Sequence, residues 1–128
     1  MRLRMKKKVL IVDDEPSIVE IVKLELHFHG YEAITASSGK EGLEKCKRLK
    51  PDVVIMDIMM PGMTGNQVAE EIKNDLSTSH IPIIFLTGMV RTKEVPKDRL
   101  MGGQYFLAKP FKCEDLLSML RKVLFPAN

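Results

Sequence analysis

The sequence has few cysteines, no long hydrophobic run and no basic stripe interleaved with aromatic residues. Its two cysteines, Cys46 and Cys113, are far apart and lack metal-site spacing, which favours reduced thiols over a disulfide framework. The longest apolar runs, such as VLIV at 9–12, cannot span a bilayer, and the basic opening MRLRMKKK is followed by too few apolar residues for a signal peptide. These absences predict a cytoplasmic protein without a membrane span.

The net charge of +3 is mild, and the basic residues are concentrated at residues 1–8. Because they do not form a stripe with aromatic side chains between them, we do not expect this domain to bind nucleic acid. We interpret residues 1–8 as a solvated basic leader.

The chain of 128 residues, 45% of them hydrophobic, is long enough for one domain with an ordinary core. Short apolar β-rich runs alternate with amphipathic helical stretches, a pattern typical of a parallel sheet with helices on both faces, the α/β class. The predicted strands are 9–12, 31–36, 52–56, 83–86 and 105–108.

Helical periodicity predicts the connecting helices. The first contains Ile18, Ile21, Val22 and Leu26 and stops at Gly30, the second and third cover 38–49 and 65–76, and the last contains Leu116, Leu117, Leu120, Val123 and Leu124. The fourth helix, between Thr87 and Gly102, is expected to be short, because Pro96 fits only in a first helical turn.

The unusual polar residues follow the ends of the predicted strands. Asp13 and Asp14 follow the first strand, Asp57 ends the third, Thr87 ends the fourth and Lys109 follows the fifth. In a sheet of order 2-1-3-4-5 these strands are neighbours, and functional groups collect at the carboxyl ends of parallel strands. We therefore expect these side chains to share one pocket.

The chemistry of this pocket favours a magnesium ion and a phosphoryl group. Three adjacent carboxylates repel one another, and a small set of oxygen ligands suits Mg²⁺, with the backbone carbonyl of Met59 as a further ligand. Aspartate is a competent nucleophile for phosphoryl transfer, so Asp57 is the candidate phosphoacceptor. Lys109 would neutralise the phosphoryl oxygens, and Thr87 would donate a hydrogen bond to them.

Four motifs resemble the receiver domains of two-component response regulators. They are VLIVDDEP at 9–16, VVIMDIMMPGMTG at 53–65, PIIFLTG at 82–88 and GGQYFLAKPF at 102–111, so the resemblance covers essentially the whole chain. It implies the five-stranded flavodoxin-like receiver fold over 9–125, with a tail at 126–128 and no output domain after it. It also implies that Asp57 accepts a phosphoryl group from a sensor histidine kinase, a histidine phosphotransfer protein or a small phosphodonor.

The resemblance further implies a switch. Thr87 and the aromatic residue Phe106 would move on phosphorylation and reshape the face formed by the fourth helix, the fifth strand and the last helix, where an unknown downstream protein or a second copy of the chain would bind. The Lys109–Pro110 bond is expected to be cis. Phe106 lacks the hydroxyl of a tyrosine at this position, so its signal must be steric.

Three other functions compete with this interpretation. An aspartyl-phosphate phosphohydrolase would need a second carboxylate two residues after Asp57, where this chain has Met59. A flavin-binding module would need a phosphate loop where the chain has DDEP. A receiver acting as a phosphorelay intermediate or a scaffold is compatible with every motif.

Overall fold

The computed structural model describes residues 6–88 and 105–126, and it has a five-stranded parallel sheet at its centre. The strands lie in the order β2-β1-β3-β4-β5, which confirms the predicted fold and strand order. Their bounds are β1 Lys8–Val12, β2 Glu32–Ala36, β3 Val53–Asp57, β4 Ile83–Thr87 and β5 Tyr105–Ala108.

Four helices are described, and they cover both faces of the sheet. They are α1 Pro16–Phe28, α2 Gly39–Leu49, α3 Gly65–Asn74 and α4 Cys113–Leu124, the last of which corresponds to the last predicted helix. None of these helices is long and apolar enough to cross a membrane. Both cysteines are free thiols, as predicted.

The core consists of two apolar layers separated by the sheet. Side chains that alternate along each strand point to opposite faces, so every central strand contributes to both layers. One layer joins the strands to α2 and α3 through Cys46, Val68 and Ile72. The other joins them to α1 and α4 through residues that include Val22, Leu26, Leu116 and Leu120. The three central strands β1, β3 and β4 are buried on both faces, which explains their continuous apolar runs.

Two details of the helix predictions are wrong. The third helix ends at Asn74 rather than at residue 76, because the Asp75 carboxylate accepts hydrogen bonds from the backbone N–H and hydroxyl of Ser77 and closes a turn there. Leu76 is consequently 92% exposed and is not part of the core. Ile21, predicted on the apolar face of the first helix, is also exposed. The predicted fourth helix lies almost entirely outside the described residues.

Helix caps and glycines fix the loops around the carboxyl edge of the sheet. Ser38 caps α2, and Thr64 caps α3 in a reciprocal box with Gln67. Gly65 comes so close to the backbone carbonyl of Asp57 that a Cβ atom there would overlap it. The backbone N–H of Gly65 also donates to the carbonyl of Ile58, at 3.0 Å. The turn after β3 therefore needs a residue without a side chain.

Gly65→Ala is expected to destabilise the fold by on the order of 1–3 kcal/mol, because backbone must move to admit the methyl group. Urea denaturation of the variant and the parent measures this difference. Asn66→Ala is the matched control, since Asn66 is the next residue of α3 and its side chain is exposed. Equal unfolding free energies for Gly65→Ala and the parent would show that the close approach does not constrain the loop.

Candidate functional site

The register of the strands aligns the polar residues at one edge of the sheet. Val12 of β1 pairs with Met56 of β3, so Asp13 and Asp57 follow at the same level. Asp57 in turn pairs with Leu86, one residue before Thr87. Thr87 pairs with Ala108 of β5, and Lys109 follows directly. The parallel pairing thus brings residues from four strands to one pocket.

Three carboxylates meet in this pocket. One oxygen from each of Asp13, Asp14 and Asp57 can be chosen so that all lie within 4.8 Å of one another. Asp13 and Asp57 are buried, at 0% and 4% exposed, while Asp14 is exposed. The structure therefore brings together the acidic residues that the sequence placed on separate strands.

In the part of the chain that the structure describes, the cation that faces these acids is Lys109. Its Nζ lies 3.1 Å from Asp13 Oδ2 and 3.5 Å from Asp57 Oδ2. Its backbone N–H donates to the carbonyl of Thr87 at 2.9 Å, which ties the loop after β5 to the end of β4. The Lys109–Pro110 peptide bond is cis, as expected.

The buried acids are only partly satisfied by the described part of the chain. Asp13 Oδ1 accepts a hydrogen bond from the backbone N–H of Glu15 at 2.9 Å, but Asp13 Oδ2 accepts none and has only the ion pair with Lys109. Asp57 Oδ1 accepts from the backbone N–H of Met59 at 3.3 Å. A buried carboxylate oxygen without a hydrogen bond, in a cluster of hard oxygen ligands, fits a divalent cation such as Mg²⁺.

The electrostatics of the pocket shift two pKa values upward. Burial raises the pKa of Asp57 to about 6, and the neighbouring Asp13 carboxylate adds to this increase, while Lys109 and the Met59 N–H oppose it. Burial alone would lower the pKa of Lys109, but the Glu15, Asp13 and Asp57 carboxylates outweigh burial and raise that pKa above its ordinary value. Lys109 is therefore a permanent cation, and Asp57 has an excess of negative charge around it.

The remaining predicted site residues lie around this cluster. Thr87 is buried at the end of β4. Phe106 is only 9% exposed and stacks on Phe85, with 5.3 Å between ring centroids. The side chain of Met59 is 58% exposed, although its backbone N–H faces Asp57.

The sequence-based prediction of the site missed Glu15. Its Oε1 accepts a hydrogen bond from Lys109 Nζ at 2.7 Å, although 94 residues separate the two in sequence. The only signal in the sequence was its position directly after the acidic pair Asp13 and Asp14.

Known proteins share both this sequence pattern and this fold. The family model of the response regulator receiver domain matches residues 9–121. The chain belongs to the response regulator receiver domain family. Receiver domains are signalling domains of two-component systems that respond to phosphorylation, and they generally bind Mg²⁺ at an acidic pocket.

Individual relatives extend the match over nearly the whole chain. The probable transcriptional regulator ycf27 of Guillardia theta is 41% identical over 126 residues, which are 98% of this chain and 48% of that protein. Protein PilH of Pseudomonas aeruginosa is 36% identical and covers 91% of this chain, with 97% of its own length matched. The chain spans about half the length of the first curated relatives that it matches.

A solved structure agrees with the receiver fold. The chemotaxis protein CheY4 of Vibrio cholerae superimposes with a TM-score of 0.83 at 36% identity, covering 94% of this chain and 100% of that one. This receiver domain therefore shares its overall fold with that chemotaxis protein.

Without a metal ion, Asp57 should make the stability of the receiver depend on pH. A carboxyl group whose pKa is raised in the folded state stabilises the fold at low pH, and that contribution is lost as the pH rises from about 4 to above about 6. Asp57→Asn removes the charge, so the variant should exceed the parent by on the order of 1–3 kcal/mol above pH 6 and match it below pH 4.

Urea denaturation in EDTA at several pH values measures this difference. The control Glu70→Gln removes a carboxylate from an exposed position of α3. A constant difference between Asp57→Asn and the parent at all pH values would contradict the raised pKa.

Proposed function

We propose that this receiver is a signalling switch in which Asp57 is the phosphoacceptor. The observation that supports this most is a nearly inaccessible carboxylate at the end of β3 that faces both a lysine amine and two further acids. A fold gains no stability from such a group, because burial and repulsion both oppose its charge. Strongly perturbed carboxylates in a pocket are typical of functional sites.

The proposed reaction is the transfer of a phosphoryl group to one carboxylate oxygen of Asp57. In transfer from a phosphohistidine, a new O–P bond forms as the P–N bond breaks, and the electron pair of that bond stays on the imidazole nitrogen, which takes a proton from solvent. With acetyl phosphate, the acyl P–O bond breaks instead and acetate leaves. The donor in the cell is a sensor histidine kinase or a histidine phosphotransfer protein.

The chain's own residues position the reacting groups and screen their negative charge. Lys109 holds a positive charge beside Asp57, at 3.5 Å from its Oδ2. The backbone N–H of Met59 orients Asp57 by donating to Oδ1. Thr87, at the end of the adjacent strand, donates its hydroxyl hydrogen to the phosphoryl group.

The acidic cluster would hold the Mg²⁺ ion. The carboxylates of Asp13, Asp14 and Asp57 and the backbone carbonyl of Met59 are the proposed ligands. When bound, the ion neutralises the repulsion between the carboxylates and the phosphoryl oxygens.

We propose that Thr87 and Phe106 transmit the effect of phosphorylation at Asp57 to the surface of the domain. Thr87 moves toward the phosphoryl group, and Phe106, on the adjacent strand, adjusts its packing by steric contact. Phe106 is already buried against Phe85 here, so a large swing from solvent is not required. The surface around β5 and α4 then changes, and a downstream protein or a second copy of the chain binds it.

The residue at position 59 argues against the phosphohydrolase alternative. A hydrolase needs a group two residues after Asp57 that transfers a proton, and the thioether of Met59 cannot do so. The chain therefore catalyses only its own phosphorylation and a slow dephosphorylation. A relay or scaffold receiver uses the same chemistry and differs only in the partner that binds.

Acetyl phosphate is expected to add one phosphoryl group to the chain in the presence of Mg²⁺, because the site supplies both the nucleophile and the compensating charge. Intact-mass spectrometry detects the added group. Addition should require both Mg²⁺ and the Asp57 carboxylate.

The matched control is Asp57→Asn, which keeps the shape of the side chain and removes the nucleophile. Addition to Asp57→Asn at the parent's rate would show that another residue accepts the group. A folded parent that gains no mass, with or without Mg²⁺, would overturn the phosphoacceptor proposal for small donors.

A further inference from the structure

Among the described residues, the Lys109 amine makes its shortest polar contact outside the acidic cluster of Asp13, Asp14 and Asp57. Its Nζ lies 2.7 Å from Glu15 Oε1, compared with 3.1 Å from Asp13 Oδ2 and 3.5 Å from Asp57 Oδ2. Glu15 also accepts a hydrogen bond from Lys109, whereas Asp13 Oδ2 accepts none within the described residues. The amine is thus drawn toward a side chain that is 57% exposed rather than fully toward the buried acids.

The backbone of Glu15 is held firmly at the start of α1. Its N–H donates to Asp13 Oδ1, and its carbonyl accepts from the N–H groups of Ile18 and Val19, at 3.1 and 3.2 Å. Pro16 follows as the first residue of the helix and restricts the backbone further. The Glu15 side chain therefore extends from a backbone that is held in place by hydrogen bonds.

Glu15 occupies the N-cap position of α1, but its side chain makes no capping hydrogen bond. An N-cap side chain normally accepts from a backbone N–H of the first helical turn. Here the carboxylate instead accepts a hydrogen bond from Lys109 in the loop after β5, so it binds Lys109 and does not cap the helix.

We propose that Glu15 is a positioning residue that restrains Lys109 and competes with the phosphoryl group for its amine. This inference rests on the proposed role of Asp57. Before phosphorylation, the Glu15 carboxylate holds the amine near the rim of the pocket. After phosphorylation, the added oxygens and the Glu15 carboxylate attract the same ammonium group. Glu15 consequently slows phosphorylation of Asp57 and shortens the lifetime of the phosphorylated state.

The expected effect is modest and depends on salt. Because the Glu15 side chain is more than half exposed, water and ions screen its attraction for Lys109. Removing it should accelerate phosphorylation about two- to fivefold at low ionic strength, the range typical of an exposed ion pair. The difference should shrink as salt is added, which a purely structural role of Glu15 would not produce.

Two substitutions separate the contact from the charge. Glu15→Gln keeps the length of the side chain and removes its charge, whereas Glu15→Asp keeps the charge and shortens the reach to Lys109. Both should accelerate phosphorylation by acetyl phosphate and Mg²⁺, followed by intact mass, and both should slow the loss of the phosphoryl group. Glu20→Gln is the matched control, because it removes an exposed carboxylate five residues later in the sequence, on α1.

Rates equal to the parent's for both Glu15 variants would overturn the inference and leave the proposed function intact. Equal acceleration by Glu15→Gln and Glu20→Gln, or acceleration by Glu15→Gln but not by Glu15→Asp, would also overturn it, because net charge alone would then explain the change. If no variant is phosphorylated, the proposed function fails and this inference fails with it.

The contact itself can be tested without phosphorylation or metal. A double-mutant cycle of Glu15→Gln and Lys109→Met, measured as thermal unfolding midpoints in EDTA, should show non-additive shifts. Additive shifts would overturn the restraint on Lys109, whether or not Asp57 is phosphorylated.

Discussion

The burial of the Asp13 and Asp57 carboxylates side by side is the constraint on which the site depends. Burying either carboxylate as an isolated charge costs free energy. For Asp57, burial raises the pKa to about 6. Within the described residues, one lysine amine faces the acids, and it is shared with Glu15 and does not balance their charge. The pocket is therefore suited to bind a cation and a phosphoryl group together, because each reduces the electrostatic cost of the other.

The fold maintains this costly arrangement through contacts that lie outside the pocket. Apolar layers pack on both faces of β1, β3 and β4, and the register of these strands sets the positions of the acids. The turn after Asp57 is fixed by the close approach of Gly65 and by the cap at Thr64. The free energy that stabilises the core thus compensates for the repulsion at the edge of the sheet, as is common at functional sites.

The proposed switch and the proposed restraint both act through β5 and the loop after it. Phe106 lies in β5, and Lys109 follows this strand and is tied by its backbone to Thr87. Glu15 reaches the same lysine from α1 on the other side of the pocket. Under both proposals, a change of charge at Asp57 alters the forces on the loop that carries Lys109 and, through Lys109, on Glu15 at the start of α1.

The sequence by itself determined the α/β class, the five strands and the residues at their carboxyl ends. Continuous apolar runs such as VVIM, ending on Asp57, need no tertiary information to indicate a buried strand with a functional group. The four motifs that resemble receiver domains indicated the family. The end of α3 at Asn74 follows from a local turn, in which Asp75 accepts hydrogen bonds from Ser77, that overrides the helical periodicity. Tertiary structure decided the exposure of Ile21, because the side on which α1 packs is not set by periodicity alone. It alone revealed that Glu15 reaches Lys109, since a contact across 94 residues depends on how separate elements pack and not on any local pattern.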